Sequence, residues 1–317
     1  MFAELPKLID RDFAVGYFLP VAAFIGSSLG LLSAFGLLPL IALFIQADTL
    51  IGVTVIGLIA WLGSIALLAA NRDITRFMEG YGKYNPVRLI GLIERWRYRR
   101  MKSELSKLDE EYRLRLSLNE EFPLERSLKR NRLLRELAER FPDQEQWLLP
   151  TAFGNTLRAF EVYSRVMYGF EAIQGWNRLL LVIPMDYRDV IDSAKAQVDF
   201  WLNVGLLSVV FVFEYLGVAI YTHQIGSVWL PFAALALALI ASYRARRTAV
   251  LWGELVKASF DICLGDLHTK LGFPLSSSRK DEREFWTKYS QAIIYRLPSV
   301  LPEISQKDSR AEDEGDE

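Results

Sequence analysis

Four polar residues and one acid in an apolar run set the chemistry open to this chain. Asn155, Arg158, Glu161 and Arg165 follow one another at spacings of three, three and four. That spacing lines them along one helix face and lets Glu161 pair with either arginine. Phe153, Phe160, Tyr163, Tyr168, Phe170 and Trp176 surround the stripe. Arginine grips phosphate through two parallel bonds and stacks on rings. The stripe therefore reads either as a face for a phosphorylated or planar ligand, or as a helix whose aromatics and arginines rest among lipid headgroups. The second candidate is Glu214, in Phe211-Val212-Phe213-Glu214-Tyr215. A charged carboxylate at such depth costs on the order of a few kcal/mol unless it is hydrated, protonated or paired. Three environments satisfy it: a hydrogen bond from Ser27, Ser28 or Ser64 or to a backbone carbonyl, a water-filled cavity, or a ring of carboxylates about an oligomer axis that favours cations.

Catalytic chemistry finds little support, and no cofactor or metal site is expected. His223 and His268 are isolated and fall on opposite sides of the expected membrane. The single cysteine, Cys263, excludes an internal disulfide and a cysteine zinc site. No P-loop, dinucleotide fingerprint, His-Glu-x-x-His, Cys-x-x-Cys or nucleophile elbow occurs. Asp261, Asp266 and His268 lie close in sequence and read as helix surface.

The elements that must position these residues begin with four apolar runs. Residues 13–47 are 35 consecutive uncharged residues, and 49–70 add 22 more, where one span needs about 20. Gly36-Leu37-Leu38-Pro39 offers a turn, so 13–35 and 49–70 are expected as one helical hairpin, with 36–48 a partly embedded loop. Residues 200–222 and 224–243 form a second hairpin. Twelve Lys and Arg flank these runs on one side (Lys7, Arg11, Arg72, Arg76, Lys83, Arg88, Arg188, Lys195, Arg244, Arg246, Arg247, Lys257), against none in 36–48 or 223–227. The positive-inside rule then puts both termini in the cytoplasm of a cell (inner) membrane protein. A cleaved signal peptide is not expected, because the start is not net positive and the apolar run is too long.

The resulting organisation is a cytoplasmic N-terminus (1–12), transmembrane hairpin 1 (13–70), a cytoplasmic helical domain (71–197), transmembrane hairpin 2 (198–243), a cytoplasmic helical extension (244–302) and an acidic, disordered tail (303–317). Ala22, Gly26, Gly30 and Ala34 recur every four residues, a small-residue stripe for close helix packing within the chain or between copies in a homo-oligomer. Met101, Leu105, Leu108 and Tyr112, then Leu124, Leu128, Leu133, Leu137 and Phe141, predict a charged helical hairpin over 88–118 and 123–140. Asp186 is expected to cap the helix that runs into the third span, and 281–295 a last amphipathic helix. Residues 72–102 carry nine Lys and Arg against three acids and should attract anionic headgroups. Residues 103–140 are charge-balanced, which argues against nucleic acid as a partner.

Several segments resemble a family of prokaryotic four-span membrane proteins of uncharacterised activity: Arg11-Asp12-Phe13 with Gly16-Tyr17-Phe18-Leu19-Pro20, Leu149-Pro150-Thr151 with Gly154-Asn155, Arg158, Glu161 and Tyr163, and Gly253-Glu254-Leu255-Val256-Lys257-Ala258 with Phe260-Asp261. A looser likeness to bestrophin-type channels lies in architecture alone. The expectation is an all-α polytopic protein, four transmembrane helices with a helical cytoplasmic domain that senses or binds a ligand or protein. Alternatives are a homo-oligomeric ion channel with Glu214 on its pathway, and a membrane enzyme acting on a lipid or nucleotide.

Overall fold

The computed structural model describes residues 10–37, 49–273 and 278–301. All regular structure among them is helical, and three helices are long and apolar enough to cross a membrane. The first, α1 (Arg11–Ala34), starts on Asp10, whose side chain accepts from the Arg11 N–H. α2 (Thr49–Glu79) does not stop where its apolar run ends at Ala70 but carries on for nine more residues. Residues 38–48 of the expected loop, the N-terminal nine residues and the acidic tail lie outside the described residues.

The charged hairpin forms as α3 (Gly91–Ser117) and α4 (Leu124–Arg140), with Asn119 in the left-handed region at the turn. Its core joins Tyr98, Leu105 and Leu108 to Leu133, Leu137 and Phe141. Leu124 and Leu128, expected on that face, stay exposed in the first turns of α4. Arg130 with Asp109 and Arg126 with Glu111 tie the surface, at 2.5 and 2.8 Å.

Three short helices follow, α5 (Ala152–Glu161), α6 (Tyr163–Tyr168) and α7 (Ala172–Leu179). α8 (Met185–Thr222) is the third long apolar helix. Asp186 does not cap it: the helix begins at Met185, behind Pro184, and Asp186 lies in the first turn, where a negative charge still suits the helix dipole. α9 (Trp229–Lys270) starts five residues later than expected, because His223 and Ser227 take positive φ in the connection. Only fifteen residues, 229–243, then precede Arg244. They rise about 22 Å, short of a hydrocarbon core of about 30 Å.

α8 and α9 are the axis of the molecule. Ala234, Ala238, Ala241, Ala245 and Ala249 form the buried seam of α9, and Ala241 Cβ lies 3.4 Å from where a Cβ on Gly205 would stand. Small side chains let two backbones approach closely along their length. Beyond the apolar stretch the same pair becomes the main core, where Ile191, Val198, Val256 and Phe260 meet Phe153, Phe160, Phe170, Leu179 and Trp286. Trp286 belongs to the last helix, α10 (Arg279–Tyr295), capped by Ser278. By contrast, a Cβ on Gly26 or Gly30 would meet nothing within 4 Å, so the α1 stripe has no neighbour at those positions.

Candidate functional site

A cleft lined by charged and aromatic side chains lies between α2, α5, α8 and α9. It encloses about 480 Å³ and is lined by Asn71, Arg72, Arg76, Glu79, Tyr81, Arg158, Glu161, Lys195, Asp199 and Trp252, with Phe153, Leu157, Phe160 and Leu202 among its apolar walls. That size suits a small-molecule ligand.

Local sequence explains how the walls meet. Thr151 caps α5 by accepting from the Gly154 N–H at 2.8 Å, and its hydroxyl donates to the Met78 carbonyl at 2.8 Å, near the end of α2. A Cβ on Gly154 would fall 2.8 Å from the Glu79 carbonyl oxygen, so only glycine allows this approach. Asn85 closes the turn after α2: its amide donates to the Phe77 carbonyl in the last turn at 2.6 Å and to the Tyr81 carbonyl just beyond the helix at 2.9 Å.

On the α5 wall, Arg158 donates to the Tyr81 hydroxyl and pairs with Glu161 at 3.4 Å. Burial raises the Glu161 carboxyl above its usual range, and the Arg158 charge offsets part of that rise. On the α8 wall, Asp199 is 5 % exposed and its Oδ2 accepts from Tyr17 at 2.7 Å, Lys195 at 2.7 Å and the Asn71 amide at 3.4 Å. One carboxylate thereby joins α1, α2 and α8. Breaking such a buried, paired charge costs about 3–5 kcal/mol. Two buried atoms of lining residues have no hydrogen-bond partner, Asn71 Oδ1 and Trp252 Nε1, and both are closed off from the cleft's open space.

The four-residue stripe does not stay together. Asn155 is fully buried, and its Oδ1 accepts from the Leu149 N–H at 2.7 Å. The helix breaks at Val162, between α5 and α6. Arg165 turns away, pairs with Glu171 at 3.1 Å and covers the Trp147 ring. Arg158 and Glu161 alone reach the cleft. Glu214 lies at the α1 seam, where the Ser28 hydroxyl donates to its Oε2 at 2.7 Å. His268, read as surface, is 3 % exposed among Phe273, Phe285 and Trp286, while Asp261 faces outward and accepts from Tyr163 and Tyr168.

No protein-family model, curated protein or solved structure is significantly similar to this chain. The geometry therefore carries the functional reading. Sequence reasoning passed over Tyr17, Asn71, Lys195, Asp199 and Trp252. A signal existed for one pair: Lys195 and Asp199 stand four apart at the mouth of an apolar run, the spacing of a helical ion pair. Among the described residues no group of three His, Cys, Asp or Glu is arranged to hold a metal.

Proposed function

We propose that this chain is a non-enzymatic protein of the cell (inner) membrane, with four spans and both termini cytoplasmic, whose cleft binds a small solute bearing a phosphate or carboxylate. The fourth span is the apolar start of α9, held against α8 by its alanine seam, with the shortfall of its about 22 Å met by snorkelling of Arg244, Arg246 and Arg247 and local thinning of the bilayer. The twelve flanking basic residues support the orientation. In that frame the cleft opens at the cytoplasmic boundary.

The observation that carries the reading is the convergence of four cationic side chains, Arg72, Arg76, Arg158 and Lys195, on one cleft that also has an apolar wall. Arg72, Arg76 and Arg158 provide the charge for an anionic group, and Phe160 with Trp252, edge to face at 5.1 Å, the apolar wall. Because α2 brings Asn71 and Arg72 from just beyond its apolar run, ligand held between them and α5 biases how the membrane helices sit. An ion pathway through Glu214 has weaker support, since its Oε2 is already taken by Ser28.

Thermal unfolding of the purified protein tests this against inorganic phosphate, glycerol 3-phosphate and a nucleoside monophosphate. Binding at about 100 times Kd adds about 2.7 kcal/mol, so one probe should raise the midpoint in the native chain and fail to do so in Arg158→Ala. An unmoved midpoint with every probe, in a chain that unfolds cooperatively, contradicts the reading.

A further inference from the structure

The start of α3, with Leu89 just before it, presents an apolar face that no described part of the chain covers. Leu89 is 80 % exposed, Leu92 76 %, Ile93 55 % and Trp96 58 %. Within α3, Leu92, Ile93, Trp96 and Arg100 fall at i, i+1, i+4 and i+8, one side of the helix. The opposite side, Glu94, Tyr98 and Leu105, is buried, so this face is not the one the hairpin uses. Its rim is cationic: Arg88, Arg95 and Arg100 flank it, and Arg100 lies over the Trp96 ring at 5.3 Å.

The position of this face narrows what covers it. Gly91 and Gly80 both abut Pro150, so α3 begins beside the end of α2. Arg246, three residues past the apolar run of α9, lies within electrostatic reach of Arg97 and Glu94. The first turns of α3 therefore stand level with the ends of the apolar helices. An exposed apolar strip edged with arginine, at that level, has the composition of an interfacial helix.

We propose that Leu89, Leu92, Ile93 and Trp96 dock onto the cytoplasmic leaflet, with Arg88, Arg95 and Arg100 on anionic headgroups. This rests on the membrane reading above, but not on the ligand cleft. The apolar side chains enter the boundary between headgroups and acyl chains. The arginines keep their charge among phosphates, and the aromatic ring sits at the headgroup level where tryptophan is enriched. The helix becomes a second hold on the bilayer, outside the spans, that responds to its anionic lipid content.

The test uses the full chain in vesicles of phosphatidylcholine with phosphatidylglycerol, with Cys263→Ser as background. Nitroxide labels are placed singly at Leu92→Cys and Trp96→Cys, with Leu58→Cys in α2 as the acyl-chain reference and Ser106→Cys in α3 as the water reference. Relative accessibility to oxygen and to a water-soluble nickel chelate is then read. Labels at 92 and 96 should favour oxygen as the label at 58 does, and shift toward the 106 value when phosphatidylglycerol is omitted or Arg88→Gln and Arg95→Gln are combined. Labels at 92 and 96 that read like 106 in phosphatidylglycerol vesicles overturn the docking. So does protection from both reagents with spin–spin broadening, which means a second copy covers the face. A label at 58 that reads like 106 overturns the membrane reading itself, separately from the docking.

Discussion

The Asn203 amide donates to the Gly16 carbonyl at 2.8 Å, across the seam between α8 and α1. In an α-helix that carbonyl takes the N–H of residue 20, which here is proline and has none. The turn beside it widens into a π-helical stretch, Ala14–Phe18, of the kind often found where helices do work. Asn203 supplies the missing donor from the neighbouring helix. One turn earlier Asp199 holds Tyr17, so α1 is fastened to α8 at two successive turns.

Removing the donor with Asn203→Ala should destabilise the chain by roughly 1 kcal/mol, within the range for hydrogen bonds between membrane helices. Combined with Pro20→Ala, which returns a backbone N–H to position 20, the loss should shrink. A double-mutant cycle by reversible unfolding in mixed micelles measures this coupling. Strict additivity would separate Pro20 from Asn203.

Two glycines of α9 should behave oppositely. A Cβ on Gly253 would lie 2.5 Å from Phe160 Cδ1, in the main core, whereas one on Gly265 would meet nothing within 4 Å. Gly253→Ala should cost about 1–3 kcal/mol through overpacking. Gly265→Ala should be neutral or gain up to about 1 kcal/mol from helix propensity. Chemical unfolding of the two variants reads the sign directly.

The long apolar helices and the charged hairpin were legible because each rests on local pattern. Run length and periodicity place α1, α2, α8, α3 and α4 without any tertiary knowledge. The cleft was half legible: Arg158 and Glu161 share a turn and pair, but Tyr81, the other partner of Arg158, comes from 77 positions away. Asp199 meets Tyr17 across 182 positions, and nothing local announces such a pairing. Arg165 was misplaced because the break at Val162 follows from packing rather than from a proline or glycine. His268 and Asp261 stand seven residues apart on the same side of α9, and it is α10, with Phe285 and Trp286 packed on His268, that buries one and leaves the other exposed.

His268 carries an acid-sensitive share of stability. Burial among Phe285, Trp286 and Phe273 lowers its pKa from the usual value, and Glu282 offsets part of that. With a depressed folded pKa, the contribution is present above the unfolded value of about 6.5 and is lost as pH falls through the folded one. Glu161 works the other way: its raised pKa adds stability as pH falls. Unfolding between about pH 7.5 and about pH 5.5 should show that His268→Phe loses less stability on acidification than the native chain does. An identical acid loss in both would place the sensitivity elsewhere.

The cleft is the centre of the account, and the most direct measurement on it is the mass of what stays bound. Native mass spectrometry of the protein released gently from its own membrane, beside Arg158→Ala, reads this without choosing a probe in advance. The account predicts one added small-molecule mass on the native chain, with a phosphate or carboxylate in its fragments, that is lost in Arg158→Ala while the variant still unfolds cooperatively. A native chain that flies bare, or an added mass equally retained by Arg158→Ala, would contradict it.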